Sequence, residues 1–420
     1  MLNLAALLSI AWAGLHAPGG FVALWIVFSC SILMILLDGS FSRVWFQLVS
    51  SVRWLWSAVA LILYSSIYAS MMIFHGFWAL PSSAKDLLNA IGLPVLMFVA
   101  GSVLCLSRPR LTKVMMVAFS IAALAFPVFA IIFAQVPGQP FVYSFTRSIL
   151  HPWNRSLLNI RSVENSAFFG LVLLPWAFYS LWSRMVTKSR KVISLAVAIP
   201  STVLSLFVVR ALTGRLWVIA FILASASVVF RVVSDIRGRQ FAAKILSVLI
   251  ILLLFSGLIF YFEGSQSGVL PIRQLCDERF SLYYEYLLQA WMHPWGGKEF
   301  SVIAEKCGGG ILSLVPAGPG INAVHNVFLD IHYAVGLIPL ILFLASVFSP
   351  IARFVKVALD SRCYWNDLFA LQVCWFCALV PQYLFQPLQY ADGIVFYISF
   401  FWLGSVAVVK DSSANPAPSL

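Results

Sequence analysis

Apolar segments recur along almost the whole chain, and most are long enough to cross about 30 Å of hydrocarbon as a helix. Of the 420 residues, 61% are hydrophobic and only 10% are charged, which leaves too little polar surface to cover a soluble globule. No polar stretch is long enough to form a separate soluble domain. The sequence therefore predicts an all-α, polytopic membrane protein in which residues 1–420 form a single integral membrane domain.

The hydropathy pattern predicts about twelve membrane-spanning helices. We expect the first to be a retained helix, because no basic segment precedes it as in a cleaved signal peptide. Several spans contain proline, which membrane helices tolerate where neighbouring groups bond to the freed carbonyl. The predicted spans are residues 2–15, 20–37, 54–75, 86–107, 114–134, 165–182, 192–209, 216–234, 245–262, 325–348, 367–387 and 393–409.

The distribution of basic residues predicts the orientation of these helices. Most of the 27 Lys and Arg residues lie in short loops after even-numbered spans, and such loops remain in the cytoplasm. Both termini are then cytoplasmic, and two long loops, 135–164 and 263–324, lie outside, the second between helices nine and ten. Because the net charge of +12 follows this topological pattern, we expect membrane lipids and no nucleic acid as partners.

Two arginines flank a short external hairpin. Arg210 ends the seventh span and Arg215 begins the eighth, with only a tight turn at Thr213 and Gly214 between them. Such arginines often serve as interfacial anchors. Their position on the outer side nevertheless runs against the usual charge bias, so we predict that they bind an anionic group.

A third arginine lies in the large external loop. Residues 276–302 show apolar positions at three-to-four spacing (Phe280, Leu282, Tyr283, Tyr286, Leu287 and Ala290), which predicts an amphipathic helix along the membrane surface. Arg279 lies in its first turn, and Trp291 and Trp295 lie at its end. Arg279 either faces the same anionic group or pairs with a neighbouring glutamate.

His325 opens the tenth span at the external face, with Asn326 beside it as a candidate helix cap. His332 follows seven residues later, on the same helical face and about 10 Å deeper. Ionisable groups within a membrane helix are functional candidates, although a histidine at a helix end often only caps it. In the same loop, Cys276 and Cys307 either form a disulfide or remain free thiols.

Three short segments, taken in order, resemble the O-antigen ligase and O-antigen polymerase superfamily of bacterial envelope glycosyltransferases. They are ALTGRLWVIA with Arg215, RFSLYYE with Arg279, and HNVFL with His325, and the resemblance covers roughly residues 160 to 350. It implies a GT-C-like enzyme of the bacterial inner membrane with its active site facing the periplasm. It also implies that no metal or cofactor is needed and that the donor is a glycan on undecaprenyl pyrophosphate. Family roles carry over to Arg215 and Arg279 as diphosphate-binding residues and to His325 as the catalytic histidine, whereas Arg210 matches no family position.

The residue types suit this chemistry. Arginine is always protonated and neutralises charge that grows on a leaving diphosphate, and histidine titrates near neutral pH and can deprotonate an acceptor hydroxyl. With no carboxylate pair in place, direct displacement with inversion is expected. We favour a ligase that transfers the glycan to lipid A-core. The alternatives are a polymerase that extends a lipid-linked glycan acceptor, a flippase for lipid-linked oligosaccharides, and a structural role in an export complex.

Overall fold

The chain is predominantly helical, as the sequence predicts. The computed structural model describes residues 1–15, 19–74, 84–133, 168–183, 188–212, 216–237, 278–296, 300–305, 311–314, 324–360, 365–386 and 393–409. Its helices are α1 (Leu2–Gly14), α2 (Gly20–Leu37), α3 (Phe41–Val49), α4 (Val52–Phe74), α5 (Ala84–Ser107), α6 (Pro109–Phe133), α7 (Leu173–Trp182), α8 (Lys188–Leu212), α9 (Leu216–Arg237), α10 (Glu278–Ala290), α11 (Val327–Val335), α12 (Leu337–Leu359), α13 (Asp367–Phe385) and α14 (Gly393–Ala407). Strands β1 (Val302–Glu305) and β2 (Ile311–Leu314) pair in antiparallel register.

Five of the described helices are long and apolar enough to cross a membrane: α2, α4, α5, α12 and α13. Helices α1, α7, α8, α9 and α14 contribute shorter apolar segments to the same bundle. The chain is therefore a helical membrane protein by composition and by helix length. The predicted ninth span, residues 245–262, lies outside the described residues, and the total of twelve spans stays a prediction.

Helices α5 and α14 pack backbone against backbone, because glycine removes the side chain on each side. A Cβ added at Gly101 or at Gly404 would overlap a backbone carbonyl oxygen of the partner helix. Ser102 Oγ lies 2.9 Å from the Gly404 carbonyl oxygen and accepts a hydrogen bond from Trp54 Nε1. Such small-residue contacts allow membrane helices to pack backbone against backbone.

Helices α12 and α13 are antiparallel neighbours. The Phe354 ring packs against Phe369 near one end of the pair, and the Phe343 ring packs against Tyr383 towards the other. The start of α12 and the end of α13 therefore lie together. We call this side of the bundle the His325 end.

Helix α9 runs antiparallel to α13. Ser227 Oγ lies 3.7 Å from Cys377 Sγ, and Arg231 lies over the Trp365 ring, which precedes α13. Because α9 begins at Leu216, eleven residues or about 17 Å before Ser227, its first turn lies at the His325 end.

The predicted tenth span is interrupted, contrary to the expectation of one helix over 325–348. Helices α11 and α12 are separated at Gly336, which has a φ of 91°. The reason lies outside the segment: the turn after α10 inserts at this point, and the Leu337 N–H donates to the Pro294 carbonyl at 2.8 Å. A Cβ at Gly336 would lie 2.5 Å from the Trp295 carbonyl oxygen, so only glycine fits the junction.

This break changes the position of His332. Helix α11 has nine residues, or about 14 Å. Asn326, at its start, donates through Nδ2 to the carbonyl of Leu384 in the last turn of α13, at 3.0 Å. Gly336, at its end, adjoins the first residue of α12. Both ends of α11 are thus at the His325 end, and His332 does not lie two turns deep in a membrane crossing as predicted.

At the opposite end, the first turn of α13 is held by a polar cluster around Asp367. The carboxylate accepts from Lys113 Nζ at 2.5 Å, from Trp176 Nε1 at 2.9 Å and from Ser180 Oγ at 2.7 Å. These donors come from α6 and α7, so one largely buried carboxylate joins three helices.

Replacing Asp367 by asparagine is expected to lower the free energy of unfolding by about 2 kcal/mol, because an amide group would face Lys113. The apparent melting temperature in detergent measures this effect. The matched control is Asp38→Asn, which removes a more exposed ion pair with Arg108 and should cost less than about 1 kcal/mol. Equal losses in the two variants would contradict a special role of the Asp367 cluster.

Candidate functional site

The predicted site residues divide into those whose surroundings the structure describes and those it does not. His325, Asn326 and His332 lie at the His325 end with described side chains. Arg279 lies in the first turn of α10 and Arg210 in the last turn of α8, and the structure describes their backbone. Arg215 lies outside the described residues, as do Cys276 and Cys307.

His325 occupies a tight turn in front of α11. Its φ of 66° makes it the one non-glycine residue with a positive φ in the part of the chain that the structure describes. Asn326 caps the helix as predicted, and its Oδ1 accepts from the amides of Phe328 at 3.0 Å and Leu329 at 3.2 Å. A left-handed backbone at a residue with a Cβ costs about 1–3 kcal/mol and persists only where the surroundings impose it.

The surroundings that impose this turn include Asp330, in the first turn of α11. Its carboxylate is fully buried and accepts hydrogen bonds from the backbone amides of Val324 and Asn326. The signal that could have found it is its spacing, since a carboxylate in the first turn of a helix can reach back to amides before the cap.

Helix α10 contacts the His325 turn directly. The Tyr283 hydroxyl lies 2.7 Å from the His325 carbonyl oxygen and 3.0 Å from that of Leu384. Arg279 precedes Tyr283 by four residues, so the two positions share one face of α10. The structure thus brings the Arg279-bearing helix, the His325 turn and the end of α13 to one place. Sequence reasoning assigned Tyr283 only to the apolar stripe of α10 and missed this contact.

A second contact joins α10 to α11. The Tyr286 hydroxyl lies 2.6 Å from His332 Nδ1, and the Tyr286 ring is buried against Phe300 and Tyr333. Burial raises the pKa of Tyr286 well above its usual value. Burial also lowers the pKa of His332, and the nearby His293 lowers it further. A neutral His332 accepting from Tyr286 is consistent with both directions.

The apolar face of α10 differs in part from the predicted one. Leu282 and Tyr286 are buried against β1, β2 and α11, as their spacing predicts. Leu287, assigned to the same stripe, is 57% exposed, and it belongs instead to an outer face with Tyr284, Leu288 and Trp291. The inner face of α10 therefore packs on protein, while its apolar outer face is exposed.

The Tyr286–His332 contact is expected to make stability depend on pH. Because the folded-state pKa of His332 is lowered, its contribution is complete above the unfolded value of about 6.5 and is lost as the pH falls through the folded value. His293 and Tyr286 are the titratable groups that act on it directly among the described residues, and Asp330 acts in turn on Tyr286. The melting temperature of the wild type should exceed that of His332→Asn by a margin that narrows between pH 7.5 and pH 5. A margin independent of pH would contradict the linkage.

An apolar cavity of about 230 Å³ lies beside the His325 turn, between α11, α12, α13 and α14. Phe328, Tyr383 and Leu384 line it near the turn, and Ile351 and Trp402 line it farther along. Ile351 is fourteen residues into α12, so the lining extends about 20 Å from the His325 end.

Comparison with known proteins gives no family for the chain. No protein-family model matches it, and no curated protein matches it.

Proposed function

We propose that the protein is a metal-independent glycosyltransferase of the bacterial inner membrane, acting as an O-antigen ligase. It takes a glycan from undecaprenyl pyrophosphate and joins it to lipid A-core at the periplasmic face. The observation that carries the proposal is the contact between Tyr283 and the His325 carbonyl, because it joins the helix of Arg279 to the turn of His325. A base and a diphosphate-binding arginine must be neighbours in such a reaction.

The chemistry assigns a role to each group. The acceptor hydroxyl attacks the anomeric carbon and loses its proton to His325, while the bond from that carbon to the diphosphate oxygen breaks. The negative charge left on the diphosphate is stabilised by Arg279 and Arg215, with Arg210 as a further candidate. This is a single displacement, so the anomeric configuration inverts. Trapping a covalent glycosyl-enzyme would contradict this mechanism.

The arrangement of α9 supports the role of Arg215. Its first residue, Leu216, lies at the His325 end, and Arg215 precedes it in the sequence. Helix α9, which Arg215 precedes, and helix α10, which carries Arg279 in its first turn, therefore both begin near the His325 end. A flippase would instead distribute basic groups across the depth of the membrane.

The apolar cavity supports a lipid-linked donor. It begins at Leu384, whose carbonyl accepts from Asn326, and its wall is formed almost wholly by hydrocarbon and aromatic side chains. A polyprenyl chain lying there would hold its diphosphate beside the His325 turn.

The test is a transfer assay with the full-length protein in detergent, with undecaprenyl-pyrophosphate glycan and lipid A-core as substrates. Glycan attached to lipid A-core is the expected product. Longer polyprenyl-linked chains would make the protein a polymerase. No product from folded protein, together with movement of the lipid-linked donor across vesicles, would identify a flippase.

A further inference from the structure

The His325 turn holds its histidine in a backbone conformation that an isolated chain rarely adopts. His325 has a φ of 66°, and its carbonyl oxygen is within hydrogen-bond distance of the Tyr283 hydroxyl. Residues other than glycine keep such a conformation only where several contacts define it. The direction of the imidazole therefore depends on the groups that hold the backbone before and after His325.

Asp330 holds the residue before His325 and the residue after it. Its Oδ1 accepts from the Val324 N–H at 2.5 Å, and its Oδ2 accepts from the Asn326 N–H at 3.2 Å. Val324 and Asn326 are the residues immediately before and after His325. The two oxygens of one carboxylate thus fix the chain on either side of the histidine.

The position of Asp330 makes this arrangement rigid. The carboxylate is fully buried in the first turn of α11, where backbone amides and the helix dipole stabilise a negative charge. Hydrogen bonds to a charged acceptor are stronger than those between neutral groups. A neutral side chain of the same shape would keep one oxygen and turn a donor towards an amide that is itself a donor.

We propose that Asp330 is a positioning residue of this site: without touching the substrate, it sets the direction of the His325 imidazole through the N–H groups of the two residues that flank it. The proposal rests on the function proposed above, and it assigns Asp330 an effect on the rate of transfer and not on donor binding.

The test compares Asp330→Asn with the wild type as full-length proteins in detergent. We expect kcat for glycan transfer to fall about 100-fold with the donor KM nearly unchanged, because a displaced base slows the chemical step alone. Hydrogen exchange at the amides of Val324 and Asn326 should accelerate at least about tenfold, because the variant loses one charged hydrogen bond. Asp38→Asn makes the same chemical change in the Arg108 ion pair and should alter neither measurement.

Two outcomes would overturn the proposal: unchanged exchange in Asp330→Asn, or faster exchange with an unchanged kcat. If Asp330→Asn does not fold, Asp330→Glu replaces it, since it keeps the charge and both oxygens but displaces them by one methylene group. A kcat of Asp330→Glu that falls, but by less than the fall expected for Asp330→Asn, then supports the proposal. An unchanged kcat of Asp330→Glu together with faster exchange overturns it.

A wild type with no transferase activity would remove the proposed function alone. The rate at which diethyl pyrocarbonate modifies His325 then reports the imidazole directly. A modification rate that differs from that of the wild type in Asp330→Asn supports the positioning, and a rate equal to that of the wild type overturns it. Asp330→Glu is used in the same way where it replaces Asp330→Asn.

Discussion

Replacing His325 by alanine is expected to lower the rate of glycan transfer by about 10³-fold, because a general base contributes about 10² to 10⁴-fold. The donor KM should change little, since the polyprenyl chain and the diphosphate bind to other groups. Arg279→Ala should instead both raise the donor KM and lower kcat, because the arginine meets the diphosphate before and during bond breaking. Steady-state kinetics with a radiolabelled lipid-linked donor separate the two patterns.

Matched controls are available for both variants. His293 lies near the same end, but its ring stacks on Phe300 at 4.6 Å, and His293→Ala should leave transfer within a few-fold of the wild type. Arg110 is an exposed arginine in the first turn of α6, and Arg110→Ala should retain full activity. A His325→Ala protein that keeps a tenth of the wild-type rate would remove His325 from the chemistry.

Replacing Gly101 by alanine is expected to destabilise the protein by about 3 kcal/mol or more. The new methyl group would overlap a carbonyl oxygen of α14, and a backbone cannot move aside as a side chain can. Separating the two helices would also disturb the contact between Ser102 Oγ and the Gly404 carbonyl. The apparent melting temperature, followed in detergent by scattering and by tryptophan fluorescence, measures the loss.

Gly393→Ala is the control for this prediction, because it makes the same change on α14 itself. A Cβ there would lie 3.1 Å from the edge of the Phe21 ring, which can turn away. We expect a loss below about 1 kcal/mol for this variant. Similar melting temperatures for the two alanine variants would mean that α5 and α14 are less closely packed than the structure indicates.

Features defined by nearby residues were predictable from the sequence. Apolar periodicity identified most of the described helices, and the Asn326 cap followed from its position before an apolar run. The amphipathic helix α10 was also predicted, although Leu287 was assigned to the wrong face. Each of these signals lies within one or two helical turns of the element that it predicts.

Features that depend on distant segments were not predictable. The break at Gly336 is caused by Pro294 and Trp295, which precede it by some forty residues. The same holds for Tyr283, which reaches His325 only because α10 folds back over the turn. For the site, the sequence therefore supplied candidate residues, whereas the groups that hold the His325 turn, Tyr283 and Asp330, required the structure.

The junction between Gly296 and Gly336 has an evolutionary consequence. A Cβ on Gly296 would overlap the His332 carbonyl oxygen, and a Cβ on Gly336 would approach that of Trp295. The obstacle in both cases is main chain, so no compensating side-chain change elsewhere can relieve it. Any relative that keeps this connection between its surface helix and its interrupted helix should therefore keep both glycines, while the residues around them drift freely.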